Sequence, residues 1–369
     1  MKRNHFIILI SLIGLFFIAC SNKTNNEKFL ENFDNIQLME AKPKAFESDK
    51  LGRPYLMDFY KNKLVFIEYG TEYLMNIFNA TTGKWEQNMA PLGQGPNEFL
   101  WITFVVTDHE HLMTYDGNLK RINYFEMSED SILPCQKETY IQTSPEFITA
   151  FKVFPLTKNK HIASGIIKDA HWAIIDSTGN MTKKFDSYPV DPHFPGLLTD
   201  DDIAMAYQGT FTTNPSQTKA MYTYSNGIIL RFCSIEESGN LTRNKELIYE
   251  YPHFKENSTE KIKSVVFSEN NLMSFIDVKS TENYCFLLYS GLTALEASKE
   301  KGAWYTGNKL LIFDWDGNPV KAIYLPLRYS MFAVNAQERL VYLLTTNDES
   351  ATDDYSLHIL DLKNDFKYL

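Results

Sequence analysis

Lys63-Leu64-Val65-Phe66-Ile67-Glu68-Tyr69, then Gly70-Thr71-Glu72, then Tyr73-Leu74-Met75-Asn76-Ile77-Phe78-Asn79, then Thr81-Thr82-Gly83-Lys84: this stretch sets the pattern of the whole chain. Two short apolar runs rich in aromatic and branched residues flank a glycine-bearing link of hairpin length, and a second glycine turn leads into a further strand. Apolar residues fall on consecutive positions in Leu64-Val65-Phe66-Ile67, and again in Leu310-Leu311-Ile312-Phe313. A sheet with one wet face alternates, whereas a sheet covered on both faces need not. These strands therefore belong to stacked sheets.

The same punctuation recurs at Asp176-Ser177-Thr178-Gly179-Asn180, Glu237-Ser238-Gly239-Asn240 and Asp314-Trp315-Asp316-Gly317-Asn318. Related points fall at Ser128-Glu129-Asp130 and Lys363-Asn364-Asp365. Read as third-to-fourth-strand hairpins, the six points lie roughly 46 to 78 residues apart, the length of a four-stranded blade plus insertions. The fold class is all-β: a six-bladed β-propeller, with strand groups beginning near Tyr55, Leu100, Phe147, Ala204, Leu272 and Tyr329. A pair of two-sheet sandwiches is the alternative. The last group lacks a fourth strand. Asn35-Ile36-Gln37-Leu38-Met39 is expected to supply it, so that an N-terminal strand closes the last blade and removes an open edge.

Upstream of the strands, Lys2 and Arg3 precede an apolar run over residues 6–18. It has the length of a signal-peptide core and is short for a bilayer span. It ends in Phe17-Ile18-Ala19-Cys20, which resembles the bacterial lipobox, and a polar stretch begins at Ser21. The expected organisation is a signal peptide over residues 1–19, a lipidated tether over 20–31 and the propeller over 32–369. Diacylglycerol on the Cys20 thiol would hold the chain on a membrane, because two acyl chains anchor stably. The alternative is an ordinary signal peptide. Ser21 stands where an aspartate favours the inner membrane of many Gram-negative bacteria, and no acidic residue occurs before Glu27. These residues point to an outer-membrane lipoprotein on the periplasmic face.

Two phrases extend the reading. Gly93-Gln94-Gly95-Pro96-Asn97-Glu98-Phe99 resembles a signature of the TolB-like six-bladed β-propeller lipoproteins of Bacteroidetes, departing from its commonest form at Asn97. Phe286-Leu287-Leu288-Tyr289-Ser290-Gly291 is similar to a second phrase of the same family. The resemblance implies fold and envelope location and no particular chemistry.

A net charge of −10 without a basic stripe excludes the phosphate contacts on which nucleic-acid binding rests. Cys135, Cys233 and Cys285 are an odd set, open to one disulfide or to three buried thiols. There is no Cys-x-x-Cys, no Gly-x-Ser-x-Gly elbow and no histidine spacing that suits a metal. No catalytic residue, metal or cofactor is assigned. Asp200-Asp201-Asp202 reads either as a calcium loop or as a solvated acidic tip. Residues 292–302 have helix-forming composition and a glycine stop, fitting a lid, a partner contact or a decorated loop.

The 93–99 loop joins one blade to the inner strand of the next and so can reach the channel mouth. Gln94, Asn97 and Glu98 are the candidate ligand-binding residues. The competing reading is a tight turn in which Glu98 accepts backbone N–H bonds. The expected function is a membrane-anchored binding or scaffold module for a glycan, a peptide or an envelope protein. The alternative is a channel-mouth enzyme, a lactonase, lyase or glycan-active hydrolase, whose residues come from several blades.

Overall fold

The computed structural model describes residues 23–107, 111–157, 159–194, 198–257, 264–346 and 354–367. Cys20 and residues 1–19, expected to form the lipid site and the signal peptide, lie outside the described residues. Six blade sheets follow one another along the chain, five of four antiparallel strands and one, the fifth blade, of four antiparallel strands with a fifth added in parallel. Their inner strands are Pro54–Tyr60, Ile102–Thr107, Phe147–Thr157, Gly209–Thr213, Leu272–Ser280 and Met331–Asn335. Each touches the inner strands of both neighbouring blades, and the sixth touches the first. The sheets thus close into a six-bladed propeller around a central channel.

Both faces of each sheet are covered, which explains the unbroken apolar runs. Every residue of Lys63–Glu68 is buried, as are Leu310, Leu311, Ile312 and Phe313. The core lies between blades: Leu64 and Phe66 face blade six, while Val65 and Ile67 face blade two. Gly83, Gly179, Gly239 and Gly317 all have positive φ in the third-to-fourth-strand turns, where the sequence places them.

The closing strand is displaced from its expected position. Ile36–Leu38 (β1) pairs in parallel with Pro319–Tyr329, as a fifth strand on the outside of blade five. Lys42–Lys44 (β2) pairs antiparallel with Tyr355–Asp361 and completes blade six. An N-terminal strand does close the last blade, but through Lys-Pro-Lys. The outermost strand of a blade faces solvent, so it needs no apolar alternation and tolerates a proline at its free edge. Hydropathy selects Ile36 and Leu38, whose side chains are exposed, and passes over the closing strand.

Three other elements depart from expectation. The group expected at Ala204 falls in a helix, Asp200–Ala206, and the inner strand of blade four starts at Gly209. Ser128-Glu129-Asp130 turns a small accessory hairpin (Met127–Ser128 with Ser131–Ile132) before the fourth strand of blade two, Lys137–Tyr140. Packing begins upstream of residue 32. The helix Asn25–Leu30 (α1) buries Phe29 among Tyr249, Phe275, Tyr289 and Phe313 of blades four and five.

Candidate functional site

The face on which the inner strands begin, called here the upper face, carries a groove of about 670 Å³. That volume lies within the range of small-molecule sites, roughly 300 to 1,000 Å³. Blade one contributes Pro54 and Tyr55, blade five Met273, Phe275 and Ile276, and blade six Met331. Helix α2 (Asp200–Ala206) adds Met205, and helix α3 (Ala294–Lys299) adds Ala294. Gln208, Ser225, Asn226, Asn271 and Ser330 supply amide and hydroxyl groups. The described side chains of the lining include no carboxylate, imidazole, amine or guanidinium.

The groove is bounded by aromatic rings. Trp304 and Tyr305 line it from the loop after α3, with ring centroids 6.2 Å apart and exposures of 45% and 75%. Tyr305 has φ +57, a left-handed backbone that bulky residues rarely adopt. Arg328 secures the next residue, donating to the Thr306 hydroxyl at 3.0 Å and the Thr306 carbonyl at 2.9 Å. On the opposite side Tyr55 stacks on Trp101, centroids 5.6 Å apart at an interplanar angle of 13°, with Tyr69 at 5.9 Å. The Tyr55 hydroxyl donates to the Ile102 carbonyl, and burial pushes its phenol far above the ordinary range.

The floor is fixed by amides. Buried Asn271 accepts from the His253 N–H at 3.0 Å and donates to Asn226 at 2.7 Å. Asn226 pairs with Met273, which stitches blade four to blade five beneath the groove.

Trp101 links this groove to the 93–99 loop two residues earlier. Within that loop Glu98 folds back and accepts from the Gly95 N–H at 2.6 Å. A methyl group at Gly93 would lie 2.0 Å from its carboxylate oxygen. Arg121 sits over the Phe99 ring, donates to the Glu98 carbonyl and pairs with Glu138 at 2.9 Å. Gln94 and Asn97 are exposed at the tip, with Asn97 at φ +59. None of the three sequence candidates lines the groove. The groove residues escape a motif reading because each is an ordinary apolar or amide residue on a different blade. The one local signal is Trp304-Tyr305, an aromatic pair in a loop just after Gly302.

Towards the far end of the inner strands, residues of all six blades line a cavity of about 80 Å³. Lys279 lies 3.8 Å from Asp58 and 3.7 Å from Asp277 there, joining blades five and one. Burial raises the Asp277 carboxyl against the pull of Lys279, and it lowers the Lys152 amine, which donates to the Gly209 carbonyl at 3.1 Å. This cluster ties the blades together.

The remaining motifs have structural roles. Asp202, fully buried, caps α2 by accepting from the Thr199 N–H at 3.1 Å and hydroxyl at 2.6 Å. Asp314 accepts from Asp316 and Asn318 N–H groups within its hairpin. Cys135, Cys233 and Cys285 are free thiols, and burial pushes the Cys233 thiol up to about 12. Among the described residues, no three His, Cys, Asp or Glu side chains gather as metal ligands, and no helix is long and apolar enough to cross a membrane.

No curated protein matches the chain in sequence. Solved structures similar in fold include two from Bacteroides. A member of the DUF4221 family from Bacteroides vulgatus aligns with TM-score 0.53 and 12% identity, over 88% of this chain and 97% of that one. A Bacteroides fragilis protein described as exported aligns with TM-score 0.52 and 12% identity, over 89% and 98%. The family model of TolB-like 6-blade propeller-like proteins matches residues 31–337, from just after α1 to the inner strand of blade six. With six blades closed around one channel and that match over most of its length, the chain belongs to the TolB-like 6-blade propeller-like family.

Proposed function

We propose that this protein is an outer-membrane lipoprotein, held by diacylglycerol on Cys20, whose upper-face groove binds an uncharged ligand at the cell envelope. The observation that carries the reading is the composition of the groove: aromatic and thioether side chains with amides and hydroxyls, and no ionisable group except phenols among its described lining. Aromatic faces take up the C–H edges of a sugar or an apolar side chain, and amides orient its polar groups. A neutral glycan fits best, since its hydroxyls match the donors and acceptors of Gln208, Asn226 and Ser330. General acid–base chemistry needs a titratable group within reach of the substrate, which favours binding over catalysis here. The Bacteroides fragilis neighbour, described as exported, is in keeping with an envelope location.

The test uses purified mature protein and a panel of neutral oligosaccharides built on glucose, mannose, xylose and N-acetylglucosamine, read by isothermal titration calorimetry. At least one member should bind, and Trp304→Ala should weaken it about tenfold or more, the loss of roughly 1.4 kcal/mol of stacking. Binding unaffected by Trp304→Ala, or no binding across the panel, overturns the glycan reading. Cys20→Ser should abolish lipid labelling and release the protein from the membrane fraction. Retention with labelling overturns the anchor.

A further inference from the structure

The root of the tether lies on the same face as the groove. Asn26 of α1 donates to the Gly291 carbonyl at 3.1 Å and accepts from the Tyr289 hydroxyl at 2.7 Å. Leu292 and Thr293 follow at once and pair with Met273 and Leu272, the first residues of blade five's inner strand. Asn25 donates to Glu250, which pairs with Ile228 at the same end of blade four. The helix therefore starts at the upper rim, beside Met273 and Ala294 of the groove.

Only Ser21 and Asn22 separate Cys20 from Lys23, which is held to Glu31 at 2.5 Å. Three residues span at most roughly 10 Å even when fully extended. A globule of this length has a radius of gyration of about 20 Å, so a lipid on Cys20 cannot bring the opposite face to the bilayer. The upper face also carries what an interface-seeking surface needs. Trp304, Tyr305, Trp101, Tyr69 and Leu92 are exposed in loops or at strand ends on this side, and Leu295 is exposed on α3. Tryptophan and tyrosine settle at the head-group level of membranes, and clustered exposed apolar side chains mark a contact surface.

From the short tether and these rings we infer that the upper face lies against the lipid surface, with Trp304 and Trp101 at head-group depth and the groove opening onto it. The inference rests on the Cys20 anchor proposed above. Because the chain is acidic, apolar insertion rather than attraction to anionic lipid holds the face down, and zwitterionic bilayers suffice.

The natively lipidated protein, reconstituted into phosphatidylcholine vesicles with bromine on the acyl chains near the head groups, provides the test. Flotation reports attachment, and quenching of tryptophan fluorescence reports which rings reach the lipid. The chain has five tryptophans. Trp172 and Trp315 are buried, and Trp85 starts an outer strand at the end away from these loops. Protein that floats should be quenched, and Trp101→Phe with Trp304→Phe should abolish the quenching while Trp85→Phe leaves it. Flotation without quenching, or quenching lost only in Trp85→Phe, overturns the orientation and leaves the anchor standing. Failure to float overturns the anchor and the orientation together.

Discussion

Tyr289 donates a hydrogen bond of 2.7 Å to Asn26, across 263 residues of chain, and so fastens the first helix to the second strand of blade five. Beside it Phe29 is 1% exposed and in ring contact with Tyr289, Phe275 and Phe313. Truncating so enclosed a ring forfeits its transfer energy and leaves a cavity. Phe29→Ala should therefore cost about 3 kcal/mol and Asn26→Ala about 1 kcal/mol, measured by urea unfolding of the mature protein. A Phe29→Ala midpoint equal to that of the parent would mean that α1 is not docked in solution.

Ring closure is separable from that docking. A chain beginning at Glu40 keeps β2 and loses α1 and β1, whereas a chain beginning at Phe46 also loses the ladder to Tyr355–Asp361 and the buried Ala41. The second truncation should melt several degrees below the first, since a lost cap of ladder bonds and burial amounts to a few kcal/mol. Calorimetry of the two proteins decides it. Equal melting temperatures would show that blade six holds without Lys42–Lys44.

The contrast between these elements shows what the sequence could carry. Turns were legible because Gly83, Gly179, Gly239 and Gly317 meet a local demand for positive φ that neighbours cannot relieve. The strand groups at Phe147 and Leu272 coincide with the first residues of inner strands. Lys42-Pro43-Lys44 was illegible because an outer strand owes its place to a partner over 300 residues away, not to its own hydropathy. The groove was illegible for a related reason. Tyr55, Asn271, Trp304 and Ser330 share a wall only once the ring is closed, whereas Glu98 announced itself through a contiguous loop.

His171 gives the protein a pH response. It is buried against Trp172, Tyr188 and Tyr224, with its Nδ1 3.1 Å from the Tyr224 hydroxyl. Burial, and secondarily the charge of Arg231, holds its pKa well below 6.5; Arg231 is itself paired with Asp186 at 3.2 Å. The unfolded chain takes up a proton near pH 6.5 while the folded protein does not, so stability falls as pH drops below that value. The slope is at most about 1.4 kcal/mol per pH unit for His171, and His358, also lowered by burial, acts in the same sense. Between about pH 6.5 and 5, His171→Phe should flatten the dependence by up to one proton. Urea midpoints across that window test it, and an unchanged slope would mean that His171 takes up its proton in the folded state.

The 93–99 loop can be tested for which of its two roles Glu98 performs. Its carboxylate fills the space above Gly93, where a methyl would meet an oxygen at 2.0 Å, and it holds the Gly95 N–H at 2.6 Å. Gly93→Ala must push the carboxylate out and should cost about 1 to 3 kcal/mol, as overpacking does. Glu98→Ala removes a hydrogen bond to a charged acceptor that is partly solvated, for about 1 kcal/mol. In the double variant the new methyl enters room the carboxylate has vacated, so the combined loss should fall short of the sum by about 1 kcal/mol. Unfolding free energies of the four proteins give the coupling directly. Strict additivity would mean that Glu98 swings free of the turn in solution, and its carboxylate would then be available to a ligand at the loop tip alongside Gln94 and Asn97.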